Sequence, residues 1–260
     1  MKISKLRCVY FSATGSTRAV LTAIAEGFPL LSEEIDITNF SEREKSYQFT
    51  SDELVVFGIP VYGGRIPAPA AESLKKMRGS QTPAVLVAVY GNREFDDALL
   101  ELKNITEENG FTTVAAAAFI AEHSVMHSVA AGRPDAEDEA KIHAFAAQAW
   151  AKLQATESAA ALPALKLRGN FPYVEFGGIP LKPHATKACT GCGVCAINCP
   201  MGAIPAGNPR RTDKNLCISC MRCMDICPQN ARRLNRLMLA AAEKSFAKKC
   251  AERREPEIFI

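Results

Sequence analysis

The chain has 260 residues, of which 48% are hydrophobic and 23% charged, enough for one sizeable core and a second, smaller unit. Its longest apolar run covers only residues 114–121, well short of the ~20 residues of a membrane-spanning helix, so the composition excludes an integral membrane protein and predicts a soluble one. Residues 1–150 hold 14 Lys and Arg against 20 Asp and Glu, whereas residues 151–260 hold 17 against 8. The second half therefore carries a net positive charge. Whether that charge indicates an acidic binding partner depends on the charge of any groups already bound there.

Apolar segments of strand length alternate with segments of helical period in the first part of the chain. Strands are predicted at residues 6–11, 34–38, 53–59, 83–90 and 113–121, and helices at residues 17–28, 68–78, 96–109 and 135–155. This alternation predicts an α/β fold, a doubly wound five-stranded parallel sheet with helices on both faces. Residues 40–52 are too short and polar for a full helix, so the connection there should be reduced. Ligands of such sheets bind beyond the carboxyl ends of the strands.

A hydroxyl-rich segment, residues 12–17, follows the first predicted strand and leads into the first helix. Free amides at a helix N-terminus, the helix dipole and nearby hydroxyls together suit a phosphate group. The segment has neither the lysine of a P-loop nor the G-x-G-x-x-G pattern, so it indicates neither a nucleoside triphosphate nor a dinucleotide. Taken alone, it is equally compatible with a simple helix cap.

Two further loops follow the third and fourth predicted strands. The first contains Pro60, Val61, Tyr62, Gly63 and Gly64, and the second contains Gly91, Asn92, Arg93 and Phe95. With all three loops in place, the first half of the chain resembles a flavodoxin. The resemblance implies that residues 1–157 form a flavodoxin-like domain and that these loops bind FMN.

The flavodoxin resemblance also implies a role for each loop. The phosphate of FMN would contact the first loop, at Ser12, Thr14, Gly15, Ser16 and Thr17. Tyr62 and Phe95 would flank the flavin ring, and the backbone of residues 60–64 and 91–93 would run along its edge. The alternatives are an exposed turn tyrosine for Tyr62 and a helix staple for Phe95. A peptide at Gly63 or Gly64 could turn over to meet the N–H that reduction creates on the flavin, a change that glycine makes at low cost.

Three charged or titratable residues near these loops have open roles. Arg65 and Arg93 place positive charge where many flavodoxins are acidic. A guanidinium near the ring would stabilise an anionic reduced flavin, whereas one that faces solvent would not. His123 ends the fifth predicted strand, where it would either approach the flavin or make a capping or interdomain contact.

Eight of the ten cysteines fall in two copies of one pattern. The first copy is Cys189, Cys192, Cys195 and Cys199, and the second is Cys217, Cys220, Cys223 and Cys227, each followed by a proline. In chains with two [4Fe-4S] clusters, the fourth cysteine of such a run ligates the cluster of the other run. The spacing therefore assigns Cys189, Cys192, Cys195 and Cys227 to the first cluster and Cys199, Cys217, Cys220 and Cys223 to the second. Residues 187–230 resemble a small α+β bacterial two-cluster ferredoxin.

Zinc is the competing interpretation, since paired C-x-x-C motifs also build four-thiolate zinc sites. Zinc sites rarely need the third cysteine, the Cys-Pro step and a repeat of the whole run, so the pattern favours iron and sulfur. Disulfides are disfavoured because the N-terminus runs directly into a predicted strand rather than a signal peptide. Two oxidised clusters of charge about −2 each would lower the net charge of the basic half from about +9 to about +5. Nucleic-acid binding is therefore not expected.

The segments that flank the cysteine runs have their own predictions. Residues 158–186, rich in proline, glycine and aromatic residues, predict an extended strap that packs on another part of the chain. Residues 231–260 predict an amphipathic helix and tail, with one helix over residues 231–254. Its apolar face would consist of Leu234, Leu237, Met238, Ala241, Ala242 and Phe246. We expect this helix to dock on the flavodoxin-like half or to form a homodimer.

The whole chain resembles a flavodoxin-ferredoxin fusion of the kind found in anaerobes. One two-electron flavin and two one-electron clusters can convert electron pairs into single electrons, or the reverse. We expect a cytoplasmic electron carrier that passes low-potential electrons between the clusters and FMN, to or from redox partner proteins. The alternative is an FMN-dependent reductase of a quinone, nitro compound or disulfide, so whether the chain is an enzyme stays open. No acid or base motif accompanies the flavin loops, which favours the carrier.

Overall fold

A six-stranded sheet lies at the centre of the computed structural model, which describes residues 1–260. The strands are β1 Lys5–Tyr10, β2 Ser32–Asp36, β3 Gln48–Phe49, β4 Glu53–Pro60, β5 Arg78–Gly79, β6 Thr82–Tyr90, β7 Phe111–Ile120, β8 His184–Ala185, β9 Arg232–Arg233 and β10 Glu257–Phe259. The helices are α1 Ser16–Glu26, α2 Phe40–Arg43, α3 Ala68–Leu74, α4 Ala98–Glu108, α5 Ala136–Ala155, α6 Val194–Ile197, α7 Arg222–Asp225 and α8 Arg236–Ala247. A 3₁₀ turn follows α5 at Ala159–Ala161.

The central sheet has the order β10-β7-β6-β4-β1-β2. Its five strands from β7 to β2 are parallel, which confirms the predicted α/β sheet. The sixth strand, β10, comes from the C-terminus and pairs antiparallel with the edge of β7. It has only three residues, too few for the sequence pattern to reveal it. The short α2 and β3 confirm the reduced connection expected between the second and third strands.

Both faces of the sheet are buried, as the continuous apolar strands predict. On one face, Phe11, Phe57 and Leu86 pack beneath α3 and α4. On the other face, Leu6 and Cys8 pack beneath α1 and α5. The sheet is therefore rigid, and the loops at its carboxyl end are held in fixed positions.

The strap, residues 158–186, has little regular structure but packs closely on α4. The carboxylate of Asp97 accepts hydrogen bonds from the backbone amides of Asn170 at 2.7 Å and Val174 at 2.6 Å. Arg65 pairs with Glu101 at 2.6 Å and stacks 4.7 Å from the centre of the Tyr173 ring. These contacts hold the strap beside the carboxyl end of the sheet, in agreement with the predicted packing role.

The cysteine-rich unit contains two short helices, α6 and α7, whose first residues are 28 positions apart. A residue with left-handed backbone precedes each helix, Gly193 with φ of 81° and Met221 with φ of 63°. The antiparallel pair β8–β9 closes the unit. The predicted internal repeat is therefore visible in the backbone.

The C-terminal helix is shorter than predicted, and the prediction of one helix over residues 231–254 is wrong. Asn235 caps α8 by accepting hydrogen bonds from the amides of Leu237 and Met238 at 3.1 Å, while β9 occupies residues 232–233. Leu237 is 84% exposed, so the predicted apolar face is also partly wrong.

The observed apolar face of α8 packs within the same chain. Leu239, Ala242 and Phe246 contact a cluster that includes Val125 and Met126, in the loop after β7. This contact confirms docking on the flavodoxin-like half and requires no second chain. None of the helices is both long and apolar enough to cross a bilayer.

Candidate functional site

A large cavity lies at the carboxyl ends of β1, β4, β6 and β7. Its volume is about 470 Å³, within the range of about 300–1,000 Å³ typical of small-molecule sites. Ten of the predicted flavin-binding residues line it: Thr14, Ser16, Thr17, Pro60, Val61, Tyr62, Gly63, Gly64, Gly91 and Arg93. The loop after β7, the strap, the second cysteine loop and α8 supply most of the remaining wall. Residues of the sheet, the strap, the cysteine-rich unit and α8 thus meet at one cavity.

One end of the cavity is formed by the N-terminus of α1. Gly15, the N-cap residue, has a left-handed backbone with φ of 85° and offers no side chain to the amides of α1. Ser12 does not line the cavity, because its hydroxyl accepts a hydrogen bond from the amide of Arg18 at 3.1 Å and its amide donates to Thr38 at 2.7 Å. These bonds shape the loop and leave the first amides of α1 available to an anion.

Two aromatic side chains lie at the other end of the cavity. Tyr62 lines it, and burial together with the nearby Cys220 thiol raises the phenol pKa well above its ordinary value. Phe176, from the strap, also lines it and lies against Gly63. A neutral tyrosine and a phenylalanine on separate segments can enclose a flat aromatic ligand.

The structure does not support a ring-flanking role for Phe95. Its side chain is fully buried in the core beside Tyr90, with ring centres 5.7 Å apart, and Arg168 stacks 3.7 Å from the ring centre. Phe95 lies two residues before the N-cap of α4 and packs in the same core cluster as Leu99, so it anchors the start of that helix in the core.

Asn92 also lies away from the cavity. Its side-chain amide donates to the carbonyls of Cys250 and Glu252 at 3.1 and 2.9 Å, and its oxygen accepts from the amide of Arg254 at 3.0 Å. It therefore anchors the segment that leads to β10. The edge contact expected at residue 92 involves its backbone, which lies between two cavity-lining residues, Gly91 and Arg93, and it stays a prediction.

The two arginines of open role are used differently. Arg93 lines the cavity and pairs with Asp96. Arg65 does not line the cavity, and it pairs instead with Glu101 and donates to the carbonyl of Val174 in the strap. Of the two, Arg93 is therefore the better placed to contact a ligand in the cavity.

His123 lines the cavity and also caps a turn. Its Nδ1 accepts hydrogen bonds from the amides of Val125 and Met126 at 3.1 Å, and its ring lies 5.3 Å from that of Phe246 on α8. Burial lowers the pKa of the imidazole. A neutral ring with its proton on Nε2 fits this arrangement. His123 thus makes both the capping contact and the cavity contact that the sequence left open.

The eight cysteines of the two runs line two smaller cavities, four in each. Cys189, Cys192, Cys195 and Cys227 line the first, and Cys199, Cys217, Cys220 and Cys223 line the second. The fourth cysteine of each run therefore crosses to the cavity of the other run. This grouping is the one that the spacing assigns to two clusters.

Hydrogen-bond donors and burial surround the thiols. The amide of Ala231 donates to Cys227 Sγ at 3.3 Å, and the guanidinium of Arg232 lies 3.6 Å from Cys195 Sγ. Burial raises the pKa of the Cys220 thiol to about 11 and of the Cys223 thiol to about 12. Such thiols lose their protons when they bind a metal centre.

Buried groups without protein partners test whether anionic cofactors fit these cavities. Four buried side-chain atoms have no hydrogen-bond partner: Ser73 Oγ, Ser219 Oγ, Arg222 Nε and Arg232 Nε. Ser219 lines the large cavity and Arg232 the first cysteine cavity. Arg222, beside Cys223, reaches the carbonyls of Ser12 and Ala13 at the phosphate loop. Two of the four atoms therefore belong to residues that line a candidate cofactor cavity, and a third belongs to a residue that contacts the hydroxyl-rich loop.

Two buried arginines also lack a carboxylate partner. Arg232 and Arg43 are 3% and 6% exposed, and neither forms a salt bridge, whereas the buried Arg133 pairs with Asp138. Arg43, on α2, donates instead to the carbonyls of Thr38 and Pro200, the latter next to Cys199. Since an uncompensated buried charge is costly, these positions suit clusters of charge about −2. No group of three His, Cys, Asp or Glu side chains is arranged to hold a single metal ion.

The sheet order and the paired cysteine cavities define a flavodoxin-like domain followed by a ferredoxin-type domain. A family model described as a flavodoxin domain matches residues 8–121, and one described as a 4Fe-4S dicluster domain matches residues 188–232. The chain is thus a fusion of a flavodoxin domain with a 4Fe-4S dicluster domain.

Several solved structures are similar to the flavodoxin half. A flavodoxin from Streptococcus pneumoniae TIGR4 is 17% identical with a TM-score of 0.41, over 57% of this chain and 99% of that one. Flavodoxin 2 from Bacillus cereus is 17% identical with a TM-score of 0.41, over 58% and 99%. The Flv1 flavodiiron core from Synechocystis sp. PCC6803 is 16% identical with a TM-score of 0.40, over 60% and 37%. No curated protein sequence matched the chain.

Several residues of the site carry no local sequence signal. Phe176 is one of several aromatic residues in the strap, and Arg43 lies in a polar connection. Ser219 and Arg222 fall between cysteines, where the spacing draws attention only to the thiols. Their roles depend on the way the two domains pack, which local patterns do not encode.

Proposed function

We propose that this chain is an electron-transfer protein that holds FMN in the large cavity and one [4Fe-4S] cluster in each cysteine cavity. The observation that carries the proposal is the position of Ile218, which lines both the large cavity and the second cysteine cavity. The two sites are therefore adjacent and share Ile218 in their walls. Cys220, in the second cavity, packs in the same core cluster as Tyr62, in the large one.

The ligand sets follow from the cavity linings. Cys189, Cys192, Cys195 and Cys227 hold the first cluster, and Cys199, Cys217, Cys220 and Cys223 hold the second. Thr14, Ser16 and Thr17 line the large cavity and, together with the N-cap residue Gly15, hold the FMN phosphate at the start of α1. Bound FMN supplies two-electron chemistry, while each cluster supplies single electrons.

The residues around the flavin position it and exclude water. Tyr62 and Phe176 enclose the ring, and the left-handed backbone of Gly63 and Gly64 leaves their peptide free to turn toward it. Arg93 adds positive charge at the cavity wall, which favours an anionic reduced ring. The Nε2 proton of His123 is a further donor on this wall.

We assign the first cluster to exchange with a redox partner protein. Cys192 is exposed, and Ile197, between Cys195 and Cys199, is 82% exposed. The first cluster therefore lies near the surface, while the second lies against the flavin cavity. Electrons would pass between the partner, the first cluster, the second cluster and FMN. Eight thiolates that must stay reduced favour the cytoplasm of an oxygen-poor cell.

A carrier is favoured over a reductase of small acceptors because the cavity is walled by the strap and α8. Phe176, Ile179, Met238 and Phe246 all line it, and His123 is the one imidazole there, already engaged through Nδ1. Saturable turnover of a quinone, nitro compound or disulfide would instead establish the reductase. Rapid exchange with protein partners alone would support the carrier.

Anaerobic purification with iron, sulfide, zinc and FMN quantified tests the proposal. We expect about eight iron atoms, about eight sulfides and about one FMN per chain. Zinc without iron would replace the proposal by a structural metal site. About four iron atoms, or a chain that does not bind FMN, would refute the corresponding half.

A further inference from the structure

We propose that Ser219 is an FMN ligand supplied by the cysteine loop of the second cluster. The inference rests on the proposed function, because it concerns the same cavity. Ser219 lies between Cys217 and Cys220 in sequence, so one short loop would contact both cofactors. It belongs to the ferredoxin-type domain, whereas the other polar ligands assigned to FMN belong to the flavodoxin domain.

The first observation is an unpartnered hydroxyl. Ser219 is 5% exposed, and its Oγ has no hydrogen-bond partner, although the residue lines the large cavity. A buried hydroxyl in a native protein almost always has a partner, because leaving it unpaired costs free energy. The protein supplies none, so the partner is expected from the cavity's occupant.

The second observation is the backbone of the loop. Ser219 has φ of 56° and Met221 has φ of 63°, both in the left-handed region that side chains other than glycine seldom adopt. A glycine at position 219 would relieve this strain. The loop instead carries a residue with a hydroxyl, and strain of this kind is concentrated at ligand sites.

The third observation is the surrounding surface. The cavity walls contributed by the strap and by the rest of the same loop are apolar, among them Ile179, Leu181 and Ile218. A serine hydroxyl donates one hydrogen bond and accepts up to two. The ring, ribityl and phosphate oxygens of FMN offer both donors and acceptors, so FMN can satisfy this group where the protein does not.

One consequence is linkage between the two cofactors. Ligation of Cys217 and Cys220 fixes the loop that presents Ser219. Occupancy of the second cluster should therefore raise the affinity for FMN, and FMN should raise the affinity for the second cluster by the same factor. Occupancy of the first cluster should have little effect.

The test uses the full-length chain with both clusters in place. FMN is removed by anaerobic dialysis and titrated back, with the dissociation constant followed by quenching of flavin fluorescence. The variants are Ser219→Ala, Ser219→Gly and the control Ser73→Ala. Ser73, on α3, is also buried with an unpartnered hydroxyl but does not line this cavity. Iron content is measured for each variant.

We expect Ser219→Ala and Ser219→Gly to bind FMN about five- to tenfold more weakly than wild type, with full iron content. Ser73→Ala should match wild type. Unchanged FMN affinity in both Ser219 variants would overturn the inference. Weaker FMN binding in the alanine variant alone would also overturn it, because that result would reflect backbone strain at position 219 rather than loss of the hydroxyl. Loss of iron from both Ser219 variants would show that the hydroxyl supports the cluster loop, and this result would also overturn the inference. A wild-type chain that does not bind FMN would instead refute the proposed function.

Discussion

The ring of Phe176 lies against the backbone of Gly63, so close that a Cβ atom at position 63 would stand 2.0 Å from Phe176 Cδ2. Residues of the strap and of the loop after β4 therefore meet at the flavin cavity. No side chain other than hydrogen fits at position 63 without displacing the Phe176 ring. This contact fixes the aromatic wall of the site.

Phe176→Ala should weaken FMN binding by about tenfold, since an aromatic contact and buried apolar area are both lost. The dissociation constant of FMN measures this. The matched control is Phe171→Ala, in the same strap but 79% exposed, which should bind FMN as wild type does. Equal affinities for the two variants would show that Phe176 does not contact the flavin.

Cys195 and Cys199 belong to one cysteine run but line different cavities. Cys195→Ala should remove the first cluster and Cys199→Ala the second, each leaving about four of the eight iron atoms. Titration monitored by EPR identifies the remaining cluster by its potential. If both substitutions removed the same cluster, the crossed ligation would be wrong.

Arg43 places a buried positive charge from the flavodoxin domain beside the second cysteine cavity. Arg43→Gln should lower the reduction potential of the second cluster by an amount on the order of tens of millivolts. A nearby positive charge stabilises the reduced cluster, which carries one more negative charge than the oxidised cluster. The potential of the first cluster should not change. Arg18→Gln, at an arginine side chain that is 58% exposed and paired with Glu34, is the control. A second-cluster potential that Arg43→Gln leaves unchanged would contradict this role.

Burial lowers the pKa of His123 in the folded chain. In the unfolded chain its pKa is about 6.5. As the pH falls below that value the unfolded state gains a proton that the folded state resists, so stability present above pH ~6.5 is lost at up to about 1.4 kcal/mol per pH unit. The carboxylates with lowered pKa, such as Glu122 and Glu94, lose their contribution only below pH ~4.5.

His123→Asn keeps an acceptor for the two amides of the turn but cannot titrate. Its melting temperature should therefore fall less than that of wild type between pH 7.5 and 5.5, read under anaerobic conditions from the fluorescence of Trp150, the chain's single tryptophan. Parallel pH profiles for the two proteins would show that folding does not lower the pKa of His123.

The parts of the fold that depend on local chemistry were predictable. Cysteine spacing led to the two groups of four, and apolar runs led to five parallel strands, because both signals lie within short segments. The choice between Phe95 and Phe176 was not predictable in this way. Both are aromatic residues near turns, and only the packing of the strap on α4 places one in the cavity and the other in the core.

The apolar face of α8 shows the same limit. Helical periodicity placed Leu237 on the apolar face, although its side chain is exposed. The pattern was read from residue 231, whereas the structure has β9 at residues 232–233 and the helix N-cap at Asn235. Ser219 and Arg43 gave no signal at all. Their significance appears only when a missing partner is noticed in the folded chain.

Electron exchange between the second cluster and FMN is the central claim, and rapid mixing tests it most directly. The full-length protein is mixed anaerobically with a reduced ferredoxin as donor, and bleaching of the flavin absorbance is followed in wild type and in Cys199→Ala. Both proteins are kept at saturating FMN, because loss of the second cluster should weaken FMN binding. We predict that flavin reduction is fast in wild type and at least about tenfold slower in the variant, which lacks the second cluster. Equal rates of flavin reduction in the two proteins would contradict the account.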